Sequence, residues 1–220
     1  MSALLDEPRT EAPGTVEELP TLAAALRRLG SIPAERISLL APIGGCTEES
    51  YLEVMKRKIG LFELIDGTLV EKAMGSKSSY ATFDLIGFLA AYLRVHDIAF
   101  GFAPDLMVRL GSQIRLPDIS ICLKSRFPGG KMPEGNIMPA GPDLAIEVMS
   151  DSNTAEEMAR KRGECFAGGT RLFWEVEPGL RLVRVFTTAE AYTVVSIDGT
   201  LEGEPVLPGF RLPLRDLFRS

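Results

Sequence analysis

Histidine is almost missing from these 220 residues, with His96 the only one. That closes Ser-His-Asp and Cys-His catalysis unless His96 serves. Its position beside Asp97 at the end of a predicted helix suits a surface or dipole role instead. Long apolar runs are also missing. None approaches the roughly 18 residues of a bilayer-spanning helix, so no membrane partner is expected. The opening Met1-Ser-Ala-Leu-Leu-Asp-Glu-Pro8 lacks the basic start and apolar core of a secretory signal. Cysteine is sparse: Cys46, Cys122 and Cys165 are odd in number and lack metal-ligand spacing, which predicts reduced thiols and a cytoplasmic protein. Positive charge is short as well. With 24 Lys and Arg against 30 Asp and Glu, the net charge of −6 argues against a protein that coats nucleic acid. It leaves room for an enzyme with a local basic cleft, for which Lys56-Arg57-Lys58 and Arg160-Lys161-Arg162 are candidates.

What is present is a globular composition, 45% hydrophobic and 25% charged. The length allows one ordinary domain with an N-terminal extension. Residues 1–18 are Pro-, Glu- and Thr-rich and are expected to be disordered. Residues 19–60 form a helical extension, with one helix over 22–29 closed by Gly30 and another capped by Thr47. From residue 61 the pattern changes. Leu61-Phe-Glu-Leu-Ile-Asp-Gly-Thr-Leu-Val-Glu-Lys72 carries Asp66-Gly67 between two alternating segments, a hairpin signal. A helix over 78–95 follows, with Phe83, Ile86, Ala90 and Leu93 as its apolar stripe. Strands are predicted over 99–102, 105–109, 114–123 and 144–149. The Pro- and Gly-rich segment 127–142 reads as a loop or flap over a site. Asn153, with Glu156, caps a helix ending at Gly168-Gly169; a strand meander and a last helical turn over 214–218 close the chain. The order of elements predicts an α/β (α+β) protein with a mixed sheet.

Two acidic residues stand out. Asp118 lies in Ile114-Arg-Leu-Pro-Asp-Ile-Ser-Ile-Cys-Leu123 and Glu147 in Leu144-Ala-Ile-Glu-Val-Met149, both otherwise apolar strands. An ionised carboxylate removed from water costs several kcal/mol unless it is paired or bound to a metal. Pro117 belongs at an edge, bulge or strand end, which could aim Asp118 into a cleft. Hard oxygen ligands at strand ends suit Mg²⁺ or Mn²⁺. The alternative is that each acid pairs with an arginine such as Arg109 or Arg115.

The helix after Glu147 adds a cation. Met158 and Cys165 mark its apolar stripe, and Lys161 sits at the edge of that stripe, able to extend its ammonium towards the acids. Arg162 lies nearer the middle, so the wheel alone does not choose between them. Glu63, in the first hairpin strand, is a fourth candidate.

Phe62-Glu-Leu-Ile-Asp-Gly67, Arg115-Leu-Pro-Asp-Ile-Ser120, Asp143-Leu-Ala-Ile-Glu-Val-Met-Ser150 and the Lys161 helix, in that order, resemble the Uma-type restriction endonucleases. That bacterial family belongs to the PD-(D/E)XK nuclease superfamily. The resemblance implies a restriction-endonuclease-like domain over 61–220: a mixed central sheet flanked by helices. It implies Mg²⁺-dependent hydrolysis of DNA, with Asp118 and Glu147 binding the metal and Glu63 in the metal or water shell. Lys161 would replace the lysine two places after the glutamate, where this chain has Met149. Ser78-Ser79-Tyr80 stands where many relatives carry a histidine, and Cys165 where a tyrosine is common. A homodimer is one open arrangement. A non-catalytic binding or scaffold protein that keeps the nuclease fold is the competing class, and an RNA-directed or repair nuclease a third.

Overall fold

The computed structural model describes residues 21–73, 75–132 and 134–219, so the tail expected over 1–18 lies outside the described residues. Helix α1 (Leu22–Arg28) starts at Thr21, whose hydroxyl accepts the Ala24 amide. A single 3-10 turn (Ala34–Arg36) leads to α2 (Glu48–Lys56), capped as expected by Thr47. The hairpin pairs β1 (Phe62–Ile65) with β2 (Thr68–Glu71). Asp66 at φ 46° and Gly67 at φ 69° form the left-handed turn that Asp-Gly favours, and a Cβ on Gly67 would come 2.6 Å from the Gly44 carbonyl oxygen.

Helix α3 (Ser76–His96) precedes β3 (Ala99–Phe102), β4 (Met107–Leu110), β5 (Gln113–Arg115) and β6 (Ile119–Leu123). Next come β7 (Ile137–Met138), β8 (Leu144–Val148), α4 (Ala155–Ala167) and β9 (Leu172–Glu177). The chain closes with β10 (Leu182–Phe186), β11 (Tyr192–Val195), β12 (Thr200–Glu202), β13 (Arg211–Pro213) and α5 (Leu214–Leu217). A mixed six-stranded sheet runs β11-β10-β9-β8-β6-β3, with β8 and β9 parallel across the α4 crossover. A second sheet runs β2-β1-β5-β4-β7.

Alternation along the six-stranded sheet sorts its two faces. Ile119, Ile121, Ile146, Val148, Trp174 and Val176 pack towards α3 and α5. Cys122, Ala145 and Phe173 pack with Met158 and Cys165 of α4 and with Val108 and Leu110 of β4. Glu147 falls on this second face, between the two sheets.

Four expectations change. The strand predicted over 114–123 is two, β5 and β6, in different sheets, because Leu116-Pro117-Asp118 breaks the ladder where proline has no amide to donate. The apolar stripe of α3 is Ala81, Leu85 and Leu89, and Phe83 is 75% exposed. The cap of α4 is Thr154 with Glu157, a reciprocal capping box, while Asn153 Oδ1 accepts the Ser150 amide instead. The segment 127–142 is not unstructured throughout, since β7 within it pairs in parallel with β4. Among the described residues no helix is long and apolar enough to cross a membrane.

Candidate active site

The break at Leu116-Pro117-Asp118 carries the chain from one sheet to the other and leaves Asp118 at the threshold of β6. Ile119 pairs with Ile146, so Asp118 lies opposite Glu147 on the neighbouring antiparallel strand. Two like charges across adjacent strands repel. Asp118 Oδ2 accepts the Val148 amide at 2.7 Å, which fixes the carboxylate and turns Oδ1 away. Glu147 Oε1 lies 2.6 Å from the Lys161 ammonium. Lys161 also stands 2.8 Å from Glu63 Oε1, so it bridges the two sheets. Of the pair the helical wheel left open, Lys161 joins the acids, while Arg162 turns to Glu175 on β9 and stacks on Phe186.

Glu63, in β1, is saturated by partners. Oε1 accepts the Leu116 amide at 2.9 Å, and Oε2 accepts Arg115 Nη1 at 2.9 Å. Arg115 is wholly buried and also donates to Glu164 at 2.6 Å. The arginine alternative for the other two acids is therefore not realised: Arg115 serves Glu63 and Glu164, and Arg109 pairs with Glu48.

A second lysine faces the acids. Lys72, just past β2, stands 3.0 Å from Asp118 Oδ1 and 3.9 Å from Glu147 Oε2, and donates to the Leu116 carbonyl. In sequence it belongs to an ordinary-looking Glu71-Lys72 pair. The signal was its parity with Val70, which pairs with Glu63 and so puts Lys72 on the face that carries Glu63.

Electrostatics separate the acids. Burial pushes the Glu63 carboxyl up, but Lys161, Arg115 and Lys72 outweigh it and hold it well below the usual carboxylate range. Burial raises Glu147 to about 7 against the pull of Lys161 and Lys72, with Asp118 and Glu63 adding to the rise. Burial disfavours the Lys161 ammonium, yet Glu147 and Glu63 overcome that and raise its pKa, so it stays charged. The ammonium, which also donates to the Leu116 carbonyl at 3.4 Å, is the firmer part of the Lys161–Glu147 pair.

Among the described residues, no three His, Cys, Asp or Glu side chains converge as a metal-holding group. Both oxygens of Glu63 already face cations or an amide. Asp118 Oδ1 and Glu147 Oε2 remain, and both face the same ammonium. Two hard oxygens converging on a positive charge fit Mg²⁺ or Mn²⁺, which take one or two carboxylates and complete their shells with water and phosphate oxygens. Met149, at the place of the superfamily lysine, packs among Val108, Met158 and Phe173 and contributes no charge.

Lys72, Asp118 and Val148 form one wall of a more open cleft lined by Leu61, Ser78, Ser79, Thr82, Phe83 and Pro104. The segment over 127–142 contributes no described residue to this cleft or to the acid cluster, so the expected flap does not cover them.

The model of the Uma2 family, described as "Putative restriction endonuclease", matches residues 49–215. The chain belongs to the Uma2 family. Glu63, Lys72, Asp118, Glu147 and Lys161 all fall inside the Uma2 span, whereas α1 and Arg36 precede it. Among solved structures, a "putative nuclease belonging to DUF820" from Anabaena variabilis ATCC 29413 superposes with a TM-score of 0.67. The two share 23% identity over 79% of this chain and 97% of that one, a likeness that shows the fold. No curated protein matches.

Proposed function

We propose that this Uma2 protein is an endonuclease that hydrolyses phosphodiester bonds in DNA with Mg²⁺ or Mn²⁺ held by Asp118 and Glu147. The observation that carries the proposal is the opposed pair Asp118–Glu147 with a lysine ammonium 2.6 Å from Glu147. A bound divalent cation supplies charge neutralisation at the scissile phosphate and a more acidic water. Asp118, held by the Val148 amide, presents one oxygen in a fixed direction. Glu147 presents the second. Lys161 orients the attacking water and offsets the charge that grows on the phosphate oxygens in the transition state. Glu63 positions Lys161 and Arg115 and is not a direct ligand. The cleft bordered by Ser78, Thr82 and Phe83 receives the strand.

Purified protein with plasmid DNA and Mn²⁺ tests this. Cleavage that Asp118→Ala and Glu147→Ala each abolish, with the fold retained, supports it. Absence of metal-dependent cleavage of any DNA or RNA substrate sinks it.

A second reading is a scaffold that keeps the nuclease fold without catalysis. The Lys72 ammonium favours it, because it already neutralises the two acids. A scaffold shows no Asp118-dependent Mn²⁺ binding in titration calorimetry.

A further inference from the structure

Three carboxylates meet in the cluster, and two lysines and an arginine answer them. Lys161 is anchored between Glu147 Oε1 at 2.6 Å and Glu63 Oε1 at 2.8 Å and, like Lys72, donates to the Leu116 carbonyl. Arg115 is locked between Glu63 and Glu164. Lys72 is held differently. Its close carboxylate partner is Asp118, at 3.0 Å; Glu147 is 3.9 Å away; and its remaining contact is the Leu116 carbonyl. The Val148 amide occupies the other Asp118 oxygen, and Lys161 faces the other Glu147 oxygen. Lys72 thus stands against the two oxygens left for a metal.

We propose that Lys72 is the internal counter-ion of the Asp118–Glu147 pair, that a divalent cation binds there only by displacing it, and that Lys72 thereby sets the metal affinity. The inference rests on the two-carboxylate metal reading above. Charge supports displacement: a divalent cation on the same two oxygens would be repelled by an ammonium that stands 3.0 Å from Asp118 and 3.9 Å from Glu147. Space supports it too, because Lys72 borders the open cleft beside Ser78, Thr82 and Phe83 and its flexible stem can swing there. An ammonium standing against the same two oxygens competes with Mg²⁺ or Mn²⁺ for them.

Titration calorimetry with Mn²⁺ alone tests the inference on wild type, Lys72→Met and Lys72→Gln. Both variants should bind Mn²⁺ at least tenfold more tightly than wild type, and adding Asp118→Asn to Lys72→Met should abolish that binding. Equal or weaker affinity in the variants, with Asp118-dependent binding retained, overturns displacement and leaves the metal reading standing. If no protein of the set binds Mn²⁺ through Asp118, the metal reading falls and displacement with it. The wild-type protein gives an independent measure should both variants fail to fold. On Mg²⁺ saturation the Lys72 side-chain carbon resonances should move to those of a solvated lysine, and no movement at saturation overturns the proposal.

Discussion

Arg36 grips Glu157 with two hydrogen bonds, 2.8 and 2.7 Å, from a segment that lies 121 positions earlier in the chain. Arg36 also donates to the Glu71 and Ser152 carbonyls, at 2.8 and 3.1 Å. One guanidinium thus ties the end of β2, next to Lys72, to the start of α4, which carries Lys161. The pair is buried, and removing one partner strands the other's charge. Arg36→Ala should lower stability by about 3–5 kcal/mol, seen as a fall in the urea midpoint. Removing both charges with Arg36→Met and Glu157→Leu together should recover only part of that loss, because the capping box of α4 and the two carbonyl bonds go with them. If Arg36→Ala leaves the midpoint within about 0.5 kcal/mol, the strap carries no weight.

Lys161 and Arg162 are neighbours with separate duties, and the second cannot replace the first. Arg162 is committed to Glu175 and to the Ala189 carbonyl, 2.5 Å away. Lys161→Met should therefore lower DNA cleavage at least about a hundredfold, the loss typical of a removed transition-state donor. Mn²⁺ affinity should be retained or improved, because a competing positive charge has gone. Single-turnover rates and calorimetry on the same preparation separate the two effects. Loss of metal binding in Lys161→Met would make the lysine a structural prop and not part of the chemistry.

Glu63 gives the acid limb of stability a sign. Its carboxyl is held below the ordinary value of 4.5 in the folded protein, so the unfolded chain binds the proton first as pH falls. The stabilisation is present above pH 4.5 and is lost as pH drops towards the folded-state value. Glu63→Gln removes that titration. The variant should be less stable at pH 7 by about 3–5 kcal/mol, for Arg115 and Lys161 stay buried. Below pH 4.5 its stability should fall less steeply than that of wild type, by up to about 1.4 kcal/mol per pH unit for one proton. Chemical unfolding from pH 3 to 7 reads both effects, and parallel curves would refute the assignment.

Much of the fold was legible because local chemistry and global position agree in it. Asp66-Gly67, Thr47 and Gly30 do in the structure what turn and cap rules require, β8 follows from its apolar run, and α4 from its apolar stripe and closing glycines. The misses have physical causes. Residues 114–123 read as one strand because the apolar pattern runs across Pro117, and pattern does not reveal which sheet a strand joins. Phe83 read as core because aromatic residues at helical spacing usually are, yet here it stands on the rim of the cleft. Within the site, Asp118, Glu147 and Glu63 were visible as charges in apolar strands. Lys161 was visible through its place on a helix stripe. Lys72 and Arg36 were not visible, since their importance comes from partners 46 to 121 positions away along the chain.

Gly30 and Gly169 make a matched pair at the two ends of the α4 environment. Both have φ of 99°, where a side chain strains the backbone. They differ in what surrounds them. A Cβ on Gly30 would lie 2.7 Å from Glu157 Cα and 2.8 Å from its nitrogen, whereas a Cβ on Gly169 would meet nothing within 4 Å. Gly169→Ala should cost only the strain, about 1–3 kcal/mol, and leave the chemistry intact. Gly30→Ala adds a collision with the first turn of α4, where Thr154 also donates to the Gly30 carbonyl at 2.6 Å. Backbone cannot yield as a flexible side chain does, so α4 must shift and carry Lys161 with it. Gly30→Ala should therefore lose more stability than Gly169→Ala and, alone of the two, slow cleavage by about tenfold or more at matched folded fraction. Equal losses in stability and no separation in rate would show that the N-terminal strap packs on α4 without setting the position of its lysine.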